Sequence, residues 1–225
     1  MRAFKLRFLL VTLLFGGALH SSAQQDCFNA INVCSNSYDQ SNSFSGSGDV
    51  FELQPGATCL GNGEVNSVWY TFTASTSGNM WFQLNPLNPN DDYDFALFNM
   101  TNDSCSGIAQ GLTQPISCNY SADPGPTGLS AGASGNSNGS SDPNQNPPIT
   151  LQEGETYLLL ISNFTASQNG YQLNFMGNGS IVDDQNPEPD SVSLLGVCNP
   201  RRLTLFFTEE IDCSSINGNG AEITV

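Results

Sequence analysis

The chain has 225 residues, of which 21 are acidic and 5 are basic, and its formal net charge is −16 at pH 7. Three of the basic residues and the single histidine, His20, lie near the amino terminus, so the rest of the chain carries a net charge of 2 − 21 = −19. Nucleic acids and anionic membrane surfaces are thereby excluded as partners, because phosphate binding depends on Lys and Arg. Mechanisms that need a His or Lys base, or a His metal ligand, are excluded as well.

The first residues have the pattern of a signal peptide. Arg2, Lys5 and Arg7 form a basic region, an apolar run from Phe8 to Leu19 follows, and small residues lead to a cleavage site near Ala23. The apolar run is too short to cross a hydrocarbon core of about 30 Å. We therefore predict that residues 1–23 are removed during export. The mature protein is expected to be secreted or displayed at the cell surface, with the export machinery as a partner in transit and no membrane insertion.

Seven cysteines in an exported chain indicate disulfide bonds. Two local bridges are predicted, Cys105–Cys118 and Cys198–Cys213. A third is expected between two of Cys27, Cys34 and Cys59, and the choice among them stays open. A structural zinc site is not expected, because the sequence contains no Cys-x-x-Cys pair.

Apolar residues alternate through the stretch from Asn66 to Met100. This period-two pattern, broken by turn-forming residues, predicts antiparallel strands joined by loops. The residues expected to share a face are, strand by strand, Val68, Tyr70 and Phe72; Met80, Phe82 and Leu84; and Phe95, Leu97 and Met100. A further strand is predicted over Asp49 to Leu53.

The rest of this unit combines a polar stretch with two more strands. Asn119 to Pro148 are rich in Gly, Ser, Asn and Pro, which predicts an irregular insertion far longer than the usual connection of about four to six residues. Tyr157 to Ile161 form a continuous apolar run typical of a strand buried on both faces, and Tyr171 to Phe175 alternate. Residues 24–180 are therefore predicted to form an all-β fold, an antiparallel β-sandwich of jelly-roll type.

A second β unit is predicted after an acidic, proline-containing linker at residues 181–191. Residues 192–225 include the alternating Leu203, Leu205 and Phe207, and another strand is expected at Glu222-Ile223. A unit of roughly thirty residues cannot bury an independent core. We therefore expect this chain to be the N-terminal part of a longer protein.

Several short motifs in residues 26–176 are characteristic. They are Asp26-Cys27-x-x-Ala30-x-x-x-Cys34, NSVWYTF at 66–72, DYDFAL at 92–97, ISCN at 116–119, TGL at 127–129 and GETY at 154–157. With these motifs the unit resembles the N-terminal modules of large Bacteroidota proteins that are gliding motility-associated and exported by the type IX pathway. Its layout is similar to the pre-peptidase C-terminal β-sandwich, a non-catalytic accessory domain. The tail from Cys198 resembles the start of an Ig-like module.

Asp91, Asp92 and Asp94 are the candidate metal ligands. Clustered carboxylates ahead of a strand suit Ca²⁺, which extracellular modules bind weakly, with a Kd of roughly 10⁻⁴–10⁻³ M. The glycine of an EF-hand loop is missing after Asp94, and turn capping by acidic side chains explains the same pattern. Both interpretations stay open, and no other cofactor is predicted.

Trp69 and Trp81 are out of phase with the apolar faces of their strands. Exposed, they would form stacking platforms for the sugar rings of an extracellular polysaccharide or surface polymer. Burial is the favoured alternative, because tryptophan is highly buried on average.

Residues 128–132 match the G-x-S-x-G pattern of hydrolases, but the mature chain has no histidine to serve as the base. No enzymatic activity is therefore predicted. We expect a non-catalytic module of an exported surface or secreted protein that acts in adhesion or gliding motility. The alternative is an accessory, glycan-binding domain of a secreted hydrolase whose catalytic domain lies beyond residue 225.

Overall fold

The computed structural model describes residues 23–33, 35–136 and 139–181, together with the backbone of residues 189–195 and 202–207. In these residues the strands are, in chain order, β1 (Ile31–Asn32), β2 (Ser37–Gln40), β3 (Ser67–Thr73), β4 (Gly78–Pro86), β5 (Tyr93–Asn99), β6 (Ser117–Asn119), β7 (Thr127–Leu129), β8 (Gln145–Asn146), β9 (Ile149–Leu151), β10 (Thr156–Asn163), β11 (Tyr171–Gly177), β12 (Pro189–Leu195) and β13 (Arg202–Phe207). A short helix, α1, spans Cys105–Ala109, and two 3-10 helices span Ala23–Gln25 and Cys27–Asn29. The predicted all-β class is confirmed.

Two sheets make up the sandwich. Sheet A has the strand order β1-β3-β10-β5-β6, and sheet B has the order β2-β11-β4-β7-β8, with β9 also paired to β4. The pairs are antiparallel except for β1 with β3 and β7 with β8, which are parallel. The long central strands follow the predicted antiparallel arrangement.

The core between the sheets is formed by alternate residues of the long strands. The rings of Phe82 and Phe95 meet edge to face with centroids 5.0 Å apart, and the hydroxyls of Tyr70 and Tyr171 form a 2.7 Å hydrogen bond. The predicted inward-facing residues are buried here, with one exception. Met100 lies one position out of phase with Phe95 and Leu97, so it packs on the opposite side of sheet A.

Sheet A is also buried on the side that faces away from sheet B. Trp69, Phe98 and Leu160 point to that side and are fully buried. They are covered by an outer layer, which consists of residues 23–30, residues 49–66 and α1, and which contributes Leu53 and Ile108 to a second hydrophobic cluster. The prediction that Tyr157–Ile161 are buried on both faces is therefore confirmed.

Two predictions about secondary structure are wrong. Residues 49–53 form no strand but belong to the irregular outer layer. Residues 119–148 are not free of regular structure, because β7 and β8 lie within them and extend sheet B. The buried amide of Asn146 holds this polar segment, donating to the Ser117 hydroxyl and the Cys118 carbonyl, a form of stabilisation that hydrophobic periodicity does not reveal.

The second unit is described only by the antiparallel pair of β12 and β13. Strand β13 covers the predicted alternation at Leu203, Leu205 and Phe207, and β12 begins inside the segment predicted as a linker. The predicted signal peptide, Cys34, Cys198, Cys213 and Glu222-Ile223 lie outside the described residues. Within the described ranges, no helix has the length and apolar character needed to span a bilayer.

Candidate functional site

Two disulfides stabilise the outer layer: one joins residues 23–30 to α1, and the other joins residues 49–66 to β6 of sheet A. Cys27 bonds to Cys105, with Cα atoms 5.8 Å apart, and Cys59 bonds to Cys118, with Cα atoms 6.0 Å apart. The predicted Cys105–Cys118 bridge is therefore wrong. The expected pair among Cys27, Cys34 and Cys59 is wrong too, because Cys27 and Cys59 are each bonded elsewhere. Closeness in sequence misled the prediction, since the bonded residues are 78 and 59 positions apart.

The two tryptophans lie on opposite sides of the sandwich and do not form a common platform. Trp69 is fully buried beneath the outer layer, with its ring centroid 6.1 Å from that of Phe98. It cannot stack on a sugar, and the favoured burial interpretation is right for this residue. Trp81 is partly buried on the outer face of sheet B, opposite Met176 of β11.

The three aspartates of the candidate calcium site point in different directions. The Asp91 carboxylate accepts hydrogen bonds from Asn88, Ser167 and Asn169, with donor–acceptor distances of 3.3, 2.5 and 3.1 Å. Asp91 thus fastens the turn before β5 to the loop after β10. In the described part of the chain, no three His, Cys, Asp or Glu side chains converge as a metal cluster. Asp91 has the capping role, and the three aspartates do not form one site.

Asp92 and Asp94 share the outer side of sheet A. Each has a buried Oδ1 atom that accepts no hydrogen bond. Burial, together with the negative charge of Asp92, raises the pKa of Asp94 to about 8. Burial, together with the charge of Asp123, raises the pKa of Asp92 to about 6. These two carboxyl groups therefore hold protons more tightly than ordinary aspartates.

A second acidic cluster was missed by the sequence reasoning. Asp26, Glu52 and Glu64 come from separate segments of the outer layer, and all three are buried. Burial, together with the charge of Glu52, raises the pKa of Glu64 to about 9, and burial also raises the pKa of Glu52. Acidic residues in polar loops normally indicate a solvated surface, so the sequence carried no signal of this burial.

The outer layer also borders a groove of about 540 Å³. Its base includes Leu158, Met100 and the Cys27–Cys105 disulfide, and its polar lining comes from Thr71, Asp103, Ser104 and Ser106. The ring of Phe28 stands at this groove and is 88 % exposed. Sequence reasoning did not single out Phe28. The available signal was its position beside Cys27, since a bridged cysteine fixes the direction of its neighbours.

The G-x-S-x-G segment is the end of a strand and not a nucleophile elbow. Gly128 lies in β7 with a positive φ of 142°, and a Cβ atom there would be 2.3 Å from the carbonyl oxygen of Phe82. This glycine therefore allows β7 to approach β4. The Ser130 hydroxyl accepts a 3.4 Å hydrogen bond from the backbone N–H of Gly132.

Comparison with known proteins adds no relative. No protein-family model matches the chain, and no curated protein matches it.

Proposed function

We propose that the chain is a non-catalytic module of an exported surface or secreted protein, and that it binds a neutral glycan through the groove beside Phe28. The observation that carries this proposal is the ring of Phe28, which is 88 % exposed at a mainly apolar groove that also contains a few hydroxyl and carboxylate side chains. Adhesion or gliding-associated contact with an extracellular polymer is the role that follows.

Sugar recognition needs the combination of groups found in this groove. An exposed aromatic ring packs on the apolar face of a sugar, while a few fixed polar groups bind its hydroxyls. Phe28 supplies the ring, and Asp103, Ser104 and Ser106 supply hydrogen-bonding groups in the lining of the same groove. The glycan is expected to be neutral, because residues 23–181 contain no Lys, Arg or His to bind an acidic sugar.

Two features support an extracellular setting. The leader at residues 1–23 is typical of export, and the two disulfides are of a kind that persists in oxidising compartments. The resemblance to gliding motility-associated modules agrees with both features.

The test is a glycan-array screen of the mature chain, followed by calorimetric titration of the best neutral oligosaccharide. Phe28→Ala is expected to weaken binding by about two- to twelvefold, because a lost aromatic stacking contact is worth about 0.5–1.5 kcal/mol. The matched control is Phe164→Ala, since Phe164 is also exposed (45 %) but lies away from the groove lining. Equal affinity in the Phe28→Ala variant, or binding to acidic glycans alone, would contradict the proposal.

A further inference from the structure

The buried carboxylates of this sandwich have no cationic side chain to neutralise them. Residues 23–181 contain no Lys, Arg or His. Buried charges in proteins are normally paired or coordinate metal ions, because an isolated charge is very costly to remove from water. Each buried carboxylate must therefore be matched by hydrogen-bond donors, by a proton or by a bound cation.

Hydrogen-bond donors do not satisfy the pair formed by Glu52 and Glu64. The two side chains are only 3 % and 4 % exposed. Oε1 of Glu52 accepts a 2.9 Å hydrogen bond from the backbone N–H of Cys27. Oε2 of Glu52 and both carboxylate oxygens of Glu64 are buried and accept no hydrogen bond. Three oxygens are thus left without a donor in one place.

The backbone brings the two carboxylates together. The N–H of Glu64 donates a 3.3 Å hydrogen bond to the carbonyl of Leu53, which closes the loop that separates the two glutamates. Gly63 makes this closure possible, since its φ is +69° and a Cβ atom there would lie 2.3 Å from the Leu53 carbonyl oxygen. The negative charge of Glu52 raises the pKa of Glu64, so the two carboxyl groups lie close enough to repel each other when both are ionised. Both are acceptors when ionised, so this close approach requires a proton or a cation between them.

Asp26 adds a third negative charge from the N-terminal segment. It is 6 % exposed, and its Oδ1 atom accepts hydrogen bonds from the N–H groups of Asp49 and Val50, at 2.8 and 2.9 Å. These hydrogen bonds hold Asp26 in place, and its negative charge contributes to raising the pKa of Glu52 and Glu64.

We propose that Glu52 and Glu64 bind a calcium ion that joins the two ends of the 53–64 loop within the outer layer. Carboxylate and backbone carbonyl oxygens are the ligands that Ca²⁺ prefers, and it accepts irregular geometries with six to eight ligands. Mg²⁺ fits less well, because it needs octahedral geometry and usually keeps several waters, whereas these carboxylates are buried. Zinc prefers nitrogen and sulfur ligands, which this cluster lacks.

Calcium would stabilise a part of the fold that has little regular structure. Residues 49–66 contain no strand, yet they cover the outward side of sheet A. An ion held by Glu52 and Glu64 would add a crosslink to the one made by Cys59 and Cys118. The expected affinity is in the range of extracellular modules, roughly 10⁻⁴–10⁻³ M.

The test compares thermal melts of the mature chain in chelator and in calcium. At about ten times the Kd, calcium is expected to raise the Tm of the wild type by about 3–6 °C. The Glu64→Gln variant keeps the size of the side chain but should lose this shift. The matched control is Asp94→Asn, because Asp94 is also buried with one oxygen that accepts no hydrogen bond, and it should keep the shift.

Equilibrium dialysis gives a second measurement, and its wild-type arm does not depend on any variant folding. One bound calcium per chain, lost in Glu52→Gln or Glu64→Gln, is the expected result. No binding at about 10 mM calcium would overturn the proposal, and would leave a proton shared between the two glutamates. Loss of binding in Asp94→Asn together with retention in Glu64→Gln would also overturn it, by placing the ion beside Asp94.

Discussion

The two outer faces of the sandwich are completed in different ways. On sheet B the strands follow simple alternation, with Leu173 buried in the core and Gln172 exposed to solvent. On sheet A, Leu159 and Leu160 are both fully buried, because the outer layer covers the second face. A sheet with one solvent-exposed face needs apolar residues only at alternate positions. A sheet that is buried on both faces needs a further layer of chain to cover the second face.

That further layer is made almost without regular structure. Its residues have few strand or helix hydrogen bonds, so other interactions must hold it in place. Two disulfides and the close approach of Glu52 to Glu64 are located there, and so is the groove beside Phe28. Sheet B carries none of these features in the described residues. We therefore expect the two sheets and the core between them to serve as the scaffold, and the outer layer to carry the proposed glycan-binding site.

The largest expected effect comes from removing a disulfide of the outer layer. The double variant Cys59→Ser, Cys118→Ser opens a bridge between residues 59 positions apart, and we expect a loss of about 2–5 kcal/mol in the free energy of unfolding. Urea denaturation of the wild type and the variant, with and without reductant, measures this loss of stability. Reductant should lower the wild-type midpoint further than that of the variant, because the variant keeps one of the two bridges found in the described residues, Cys27–Cys105. An unchanged midpoint in the variant would show that the outer layer needs no covalent attachment.

Alanine substitutions on the two sheets test the difference in burial directly. Leu160→Ala, on the outward side of sheet A, is expected to cost about 2–5 kcal/mol, as a buried leucine in a core does. Gln172→Ala, on the outward side of sheet B, should change stability by less than about 0.5 kcal/mol. Chemical denaturation of the two variants gives both values. Similar small losses would mean that the outer layer packs only loosely on sheet A.

A pH dependence is expected from the aspartates under the outer layer. Burial and the charge of Asp92 raise the pKa of Asp94 to about 8, so the folded state binds a proton that the unfolded state releases near pH 4. The stability from this proton is fully present below the unfolded pKa and is lost as the pH rises through 8. The slope is at most about 1.4 kcal/mol per pH unit.

The measurement is the free energy of unfolding between pH 5 and pH 9, in chelator. Asp92 and Glu64 shift stability in the same direction, so the contribution of Asp94 is the difference between wild type and Asp94→Asn. The variant should show a shallower decline with pH. Parallel profiles would indicate that Asp94 is ionised in the folded protein at neutral pH.

The smallest expected effect on stability comes from Phe28. Its side chain is almost fully exposed, so Phe28→Ala should leave the thermal midpoint nearly unchanged while it weakens glycan binding. A large drop in Tm would indicate that Phe28 has a packing role, and the groove would then lose its strongest evidence for recognition.

The sequence predicted those features of the fold that depend on the periodicity of hydrophobic residues. Alternation gave the inward faces of β3 and β4, and the unbroken run in β10 predicted a strand covered on both sides. Periodicity could not show which residues cover the outward side of β10, because the covering residues Leu53 and Leu60 lie in an irregular segment. The cysteine pairing failed for a related reason, since bridges between segments 78 and 59 positions apart depend on the folded arrangement.

The candidate site was less predictable than the fold. Asp91, Asp92 and Asp94 are adjacent in sequence, but strand alternation separates Asp91 from the other two. Glu52 and Glu64 are twelve positions apart and meet only because the loop closes at Gly63. Trp69 and Trp81 drew attention as large aromatics, whereas the exposed ring belongs to Phe28.

Hydroxyl-radical footprinting of the mature chain, with and without its neutral oligosaccharide, tests most directly whether recognition lies in the outer layer. Phe28 and Met100 in the groove, and Trp81 and Met176 on the outer face of sheet B, are all oxidisable side chains. We predict that the glycan protects Phe28 and Met100 and leaves Trp81 and Met176 unchanged. Protection of Trp81 and Met176 instead would place the binding face on sheet B and contradict this account.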